Sequence, residues 1–131
     1  MTGPAADIDA RPVARFAPAT LRAAAWTVYS VVRTRRALKA DGLSAERVAP
    51  PKGLPSGAGR GVLGVLRRLE PTCLERSIVL QTWLASHGRR FDVVVGVATE
   101  DGAVKAHAWL GYETPPPDAK GFREIHRIPP P

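Results

Sequence analysis

The chain has 131 residues and one cysteine, enough for a single domain with its own core and too few thiols for an internal disulfide or a zinc-finger cluster. A formal net charge of +7 favours acidic partners (nucleic acid, an anionic membrane or an acidic peptide) without choosing among them. The N-terminus, MTGPAADIDA, lacks a basic patch followed by an apolar run, the apolar stretch Ala23 to Val32 is too short to span a bilayer, and a lone thiol suits a reducing compartment, so the sequence predicts a cytoplasmic protein with no stable membrane insertion.

Residues 1–17 are rich in Pro and Ala and are expected to be a mobile N-terminal segment; 18–131 are expected to form one domain. Pro18 opens a helical pattern, with Leu21, Ala24, Ala25, Val28, Val31, Val32 and Leu38 as its apolar stripe. The helical part is read as 18–48, with the helix stopping near Asp41-Gly42. Arg33, Arg35, Arg36 and Lys39 form the densest basic cluster, read as a solvated helix face. With only Trp26 and Tyr29 near it, the cluster lacks the interleaved aromatics of a single-strand nucleic-acid surface. Residues 49–61, APPKGLPSGAGRG, read as a loop. From 62 the catalytic core is expected, beginning with a short helix that carries Val62, Leu63, Val65, Leu66 and Leu69 and ends before Pro71, which disfavours helical geometry at Glu70.

Thr72-Cys73-Leu74-Glu75 then starts a second helix with a T-x-x-E capping box, and Gly88 closes it. No charge falls between Ser77 and Ser86, so this helix is predicted to be the buried centre of the core. After Gly88 the period changes to two. Phe91 to Val97 is a Val-rich strand, Glu100-Asp101-Gly102 a hairpin turn, and Val104 to about Tyr112 the partner strand. In the latter, Lys105, His107 and Trp109 share one face and Val104, Ala106, Ala108 and Leu110 the other. A proline-rich loop, 114–121, precedes a last strand from Phe122 to Ile128. Helices followed by an antiparallel sheet make an α+β domain.

Cys73 falls at the first position of the buried helix. Unpaired amides and the helix dipole favour an anion there, hence a nucleophilic thiolate. Such a nucleophile needs a base, and the base an orienting group. His107, mid-strand, can face the helix start if the sheet packs on that helix. His87, at a helix end, and His126, in the last strand, are weaker candidates. A buried filler thiol and a satisfied strand histidine are the structural alternatives, and the residues alone leave the two readings balanced.

CLERSIVLQTWLASHG, then VVVGV, then AHAWL resembles the lasso-peptide leader peptidases of the transglutaminase-like cysteine peptidase superfamily, over about Leu69 to Ile128. The resemblance implies a transglutaminase-like fold with a papain-like core: N-terminal helices and a buried helix packed on a small antiparallel sheet. It implies a Cys-His-Asp triad of Cys73, His107 and Asp118, with Glu113 the alternative acid. It implies a precursor peptide as substrate, a separate leader-recognition protein as partner, a macrolactam-forming lasso cyclase downstream, and no cofactor or metal for the cleavage itself. The basic first helix is then a docking candidate for the recognition protein or the leader. Competing readings are an inactive transglutaminase-like peptide-binding module, a basic nucleic-acid or membrane-surface protein, and another acyl transfer on the same triad.

Overall fold

In a computed structural model of the protein, residues 17–42, 47–112 and 115–131 are described. The expected mobile segment therefore lies outside the described residues, except for Ala17. Three α-helices come first, α1 (Pro18–Asp41), α2 (Gly59–Leu69) and α3 (Cys73–Ala85), then strands β1 (Val93–Glu100), β2 (Ala103–Leu110) and β3 (Arg123–Ile128). The sheet is antiparallel with order β2-β1-β3, so the domain is α+β, with helices packed on a small sheet. β1 and β2 join through Asp101-Gly102, both at positive φ, the geometry of a tight two-residue hairpin turn. β1 pairs with β3 through a bulge between Val95 and Gly96.

α3 is the centre of the core. Ser77 through Leu84 are all buried, and Val79, Gln81 and Trp83 are sealed almost completely. Gln81 Nε2 donates to the carbonyls of Phe91 (2.9 Å) and Ile128 (2.8 Å), tying the helix to the entrance of β1 and the end of β3. Trp83 packs on Trp26 of α1, with ring centroids 5.8 Å apart. On the sheet side, Val93, Ala108, Leu110 and Ile128 complete the cluster. Removing any of these large apolar side chains would cost about 2–5 kcal/mol, the usual range for a core truncation.

Three sequence expectations are corrected here. The buried face of α1 keeps only part of the predicted apolar stripe: Val31 is buried and Leu38 packs on the core, but Leu21, Val28 and Val32 are 52%, 43% and 40% exposed. Thr20, Ala23, Trp26, Thr27, Ser30, Val31 and Thr34 face inward. Small side chains on this face let α1 lie close to its neighbours, and Thr27 satisfies its hydroxyl within its own helix, donating to the Ala23 carbonyl (2.7 Å). The predicted loop also ends early, because α2 starts at Gly59. Gly61 belongs to that helix and serves close packing: a Cβ there would stand 2.4 Å from the Thr20 carbonyl oxygen of α1. Leu69, expected on the apolar side of α2, is 41% exposed, and Glu70 takes a left-handed conformation before Pro71.

Candidate active site

Cys73 is the first residue of α3, and the predicted cap forms in full. Thr72 Oγ1 accepts from the Glu75 amide (3.2 Å), and Glu75 Oε1 accepts from the Thr72 amide (3.1 Å). The helical ladder begins with the Arg76 amide donating to the Thr72 carbonyl. The amides of Cys73 and Leu74 are those that helix geometry leaves without intrahelical acceptors, and they point at the helix mouth where the thiol sits. A thiolate, or the oxygen of an attacked carbonyl, is the charge such a mouth stabilises.

Glu75 is only 5% exposed and is held from a second side. Arg35 of α1 donates through Nε to Oε2 and through Nη2 to Oε1, both at 3.1 Å. Burial pushes the Glu75 carboxyl up, but the Arg35 guanidinium and the Thr72 bonds outweigh it, so the group titrates below the ordinary glutamate range. Arg35 thus leaves the cluster read as a solvated face and joins the support of the nucleophile's helix. No local pattern reveals this, since its partner lies forty positions on.

His107 sits mid-strand on β2, its side chain 20% exposed. Its Nε2 lies 3.1 Å from Oδ2 of Asp118, which arrives on a 3-10 turn, Pro117–Ala119, ahead of β3. The carboxylate is out of line with the ring N–H, and Nε2 has no aligned hydrogen-bond partner among the described residues. With Nε2 turned to Asp118, Nδ1 is the nitrogen left for a thiol. The imidazole is boxed by Trp109 (centroids 5.7 Å) and Phe122 (5.4 Å). Gly96 stands directly across from His107 on β1 and makes room for Trp109: a Cβ there would lie 2.6 Å from Trp109 Cη2 and 3.1 Å from the Arg123 carbonyl oxygen.

The two halves meet through backbone. Ser77 Oγ donates to the carbonyl of Ala108 (3.3 Å), the residue next to His107. Cys73 lies one turn earlier on the same side of α3 as Ser77. Strand alternation puts Ala108 and Leu110 against the core and His107 and Trp109 on the other face. Among the described residues no hydrogen bond joins Cys73 to His107. His107 and Asp118 are therefore brought together, while α3 is tied to the His107 strand through Ser77 and Ala108, on the other face of β2. Catalytic bonds of this kind are often long before substrate binds and tighten in the complex.

Glu113 lies outside the described residues. His87 has a structural role: its ring nitrogens contact the carbonyls of Trp83 and Leu54, both at 2.9 Å. His126 is exposed on β3. Among the described residues, no cluster of three or more His, Cys, Asp or Glu is placed to hold a metal ion, and no helix is long and apolar enough to cross a membrane.

A family model described as the transglutaminase-like superfamily matches residues 13–124. That span takes in α1 and α2, which carry no diagnostic motif of their own, as well as the Cys73 helix and the His107 hairpin. No curated protein and no solved structure gave a significant match.

Proposed function

The chain belongs to the transglutaminase-like superfamily, and from that premise we propose that it is a cysteine peptidase that removes the leader from a lasso-peptide precursor. The observation that carries the peptidase reading is Cys73 at the mouth of a fully capped, buried helix, beside a strand whose histidine lies 3.1 Å from a carboxylate. The lasso-peptide assignment rests on the CLERSIVLQTWLASHG and AHAWL resemblance, and it carries with it the expected partners: a precursor peptide and a separate leader-recognition protein.

In this mechanism His107 takes the Cys73 thiol proton and the sulfur attacks the scissile carbonyl. The Cys73 amide and the helix mouth hold the oxyanion of the tetrahedral intermediate. His107 returns the proton to the leaving amine as the C–N bond breaks, leaving a thioester. Water, deprotonated by His107, then attacks the thioester and frees the leader's carboxylate and the thiol. Asp118 keeps the imidazole in one orientation and stabilises its charged form.

Mass spectrometry of a lasso precursor incubated with the protein and a recognition partner tests this. Wild type should release the leader, and Cys73→Ala should release none while keeping its fold. Wild-type cleavage by a folded Cys73→Ala protein would remove Cys73 as the nucleophile. A second reading, a peptide-binding module without turnover, is favoured by the exposed, misaligned Asp118. Thiol alkylation at neutral pH separates the two. A peptidase thiol reacts far faster than free cysteine, and the thiol of an inert module does not.

A further inference from the structure

Much of the stripe that sequence periodicity assigns to the core lies on the outside of α1. Leu21, Ala25, Val28 and Val32 recur at spacings of three and four and face outward, so they form one continuous apolar ridge. The ridge is roughly 16 Å long, at about 1.5 Å per residue. Beside it, α1 and α2 enclose an open groove of about 680 Å³. Leu21 and Ala24 form one wall, Gly61 and Gly64 the floor of the other, and a Cβ at Gly64 would touch nothing within 4 Å. Arg60, Arg67 and Arg68 line the same groove. In α1 and α2 every charged residue but Asp41, the last of α1, is an arginine or lysine.

We propose that this outer face of α1, with the groove beside α2, docks an acidic amphipathic helix of a partner protein. The ridge and groove match the apolar stripe of a helix of about three turns, and the cations match acidic flanks. Charge decides against a second copy of this chain, because a two-fold contact would set Arg67 and Arg68 of one copy against the same basic face of the other. Composition decides against a membrane: the ridge carries no Trp or Phe, and its one aromatic, Tyr29, lies against Arg33. Nucleic acid is disfavoured by the uncharged ridge running through the middle of the basic surface. The proposal goes beyond the cleavage reading and does not depend on Cys73.

The test uses the full chain and a fluorescent designed helical peptide, with leucines at every third or fourth position and glutamates on both flanks. A control peptide carries lysine for each glutamate. The glutamate peptide should bind about tenfold or more tightly than the lysine peptide, and weaken as salt rises. Val28→Asp with Val32→Asp, both exposed sites, should abolish binding at unchanged melting temperature. Arg67→Glu with Arg68→Glu should reverse the preference between the two peptides. Cys73→Ala should bind as wild type does. Equal binding of both peptides, no binding of the glutamate peptide, or binding untouched by either double variant overturns the proposal. So does loss of binding in Cys73→Ala, which would place the peptide at the thiol instead. Tighter capture of anionic vesicles or duplex DNA through the same residues would reassign the face to lipid or nucleic acid and overturn it as well.

Discussion

At the start of α3, Cys73 is framed by bonds made within three positions of it, reinforced by one ion pair from α1. On β2, His107 is framed by groups from elsewhere in the chain: Asp118 and Phe122 from the segment after the hairpin, and Trp109, whose ring needs the bare backbone of Gly96 across the ladder. The nucleophile's position is thus fixed by a helix terminus, whose hydrogen-bonding demands are the same in any helix. The base's position depends on one loop closing behind a sheet. Its carboxylate partner is 68% exposed, where an ion pair alone contributes little to stability, so that contact matters for orienting the ring and little for holding the fold.

The contrast is broken most forcefully at Asp118. If its work is orientation, Asp118→Asn should slow leader release by about 10²–10⁴-fold, the usual scale for losing proper acid–base catalysis, at an unchanged melting temperature. Release rates and thermal melts of the same preparation check both halves. A variant with near-wild-type turnover would reduce the site to a Cys-His dyad. Glu113→Gln should change little, and the reverse ranking would move the acid to Glu113.

Gly96→Ala probes the same region through packing. The added methyl meets both Trp109 and the Arg123 carbonyl, and the second is backbone that cannot swing aside. Overpacking of this kind costs about 1–3 kcal/mol. Displacing Trp109 should also loosen the His107 ring. Turnover should therefore fall in a protein that still melts cooperatively, while thiol alkylation, which reads the α3 end, stays closer to wild type. A drop in alkylation as large as the drop in turnover would show that the two regions are one unit.

Thr72→Ala is the matching test at the other end. It removes the acceptor for the Glu75 amide and should cost about 0.5–2 kcal/mol. Alkylation of Cys73 should slow with it, because the helix mouth loses its order. Unchanged melting and unchanged alkylation would mean that Arg35 and Glu75 hold the terminus without the hydroxyl.

What the sequence disclosed follows the same division. The cap at Thr72, the uncharged run from Ser77 to Ser86 and the Asp101-Gly102 turn obey rules that operate over a few residues, and each element stands where those rules put it. Apolar periodicity places Val31 correctly but misplaces Leu21, Val28 and Val32 of α1, because it assumes that large side chains face the core. Here close helix approach wins: Gly61 admits the Thr20 carbonyl, and small residues fill the contact. Arg35, Ser77 and Phe122 were invisible as parts of the site for a different reason. Each acts through a partner far along the chain, and nothing in its neighbours marks it.

The smallest effect expected is a change in acid sensitivity, and it belongs to the α3 end. In the unfolded chain Glu75 titrates near the ordinary glutamate value of about 4.3; in the folded protein it titrates lower, because Arg35 and the Thr72 bonds outweigh burial. The folded state therefore binds fewer protons than the unfolded state between those two values. By linkage, the stability Glu75 supplies is fully present above about pH 4.3 and is lost as pH falls through the depressed folded value. Melting temperature followed from neutral pH into this window should drop more steeply for wild type than for Glu75→Gln, which has no charge to lose. Arg35→Gln shrinks the same window. With the guanidinium gone, burial acts on the carboxyl against the capping bonds alone, the folded value rises toward the unfolded one, and melting temperature falls less steeply with pH than in wild type. Parallel melting curves for all three proteins would mean that the Arg35–Glu75 pair does not couple α1 to the helix that carries Cys73.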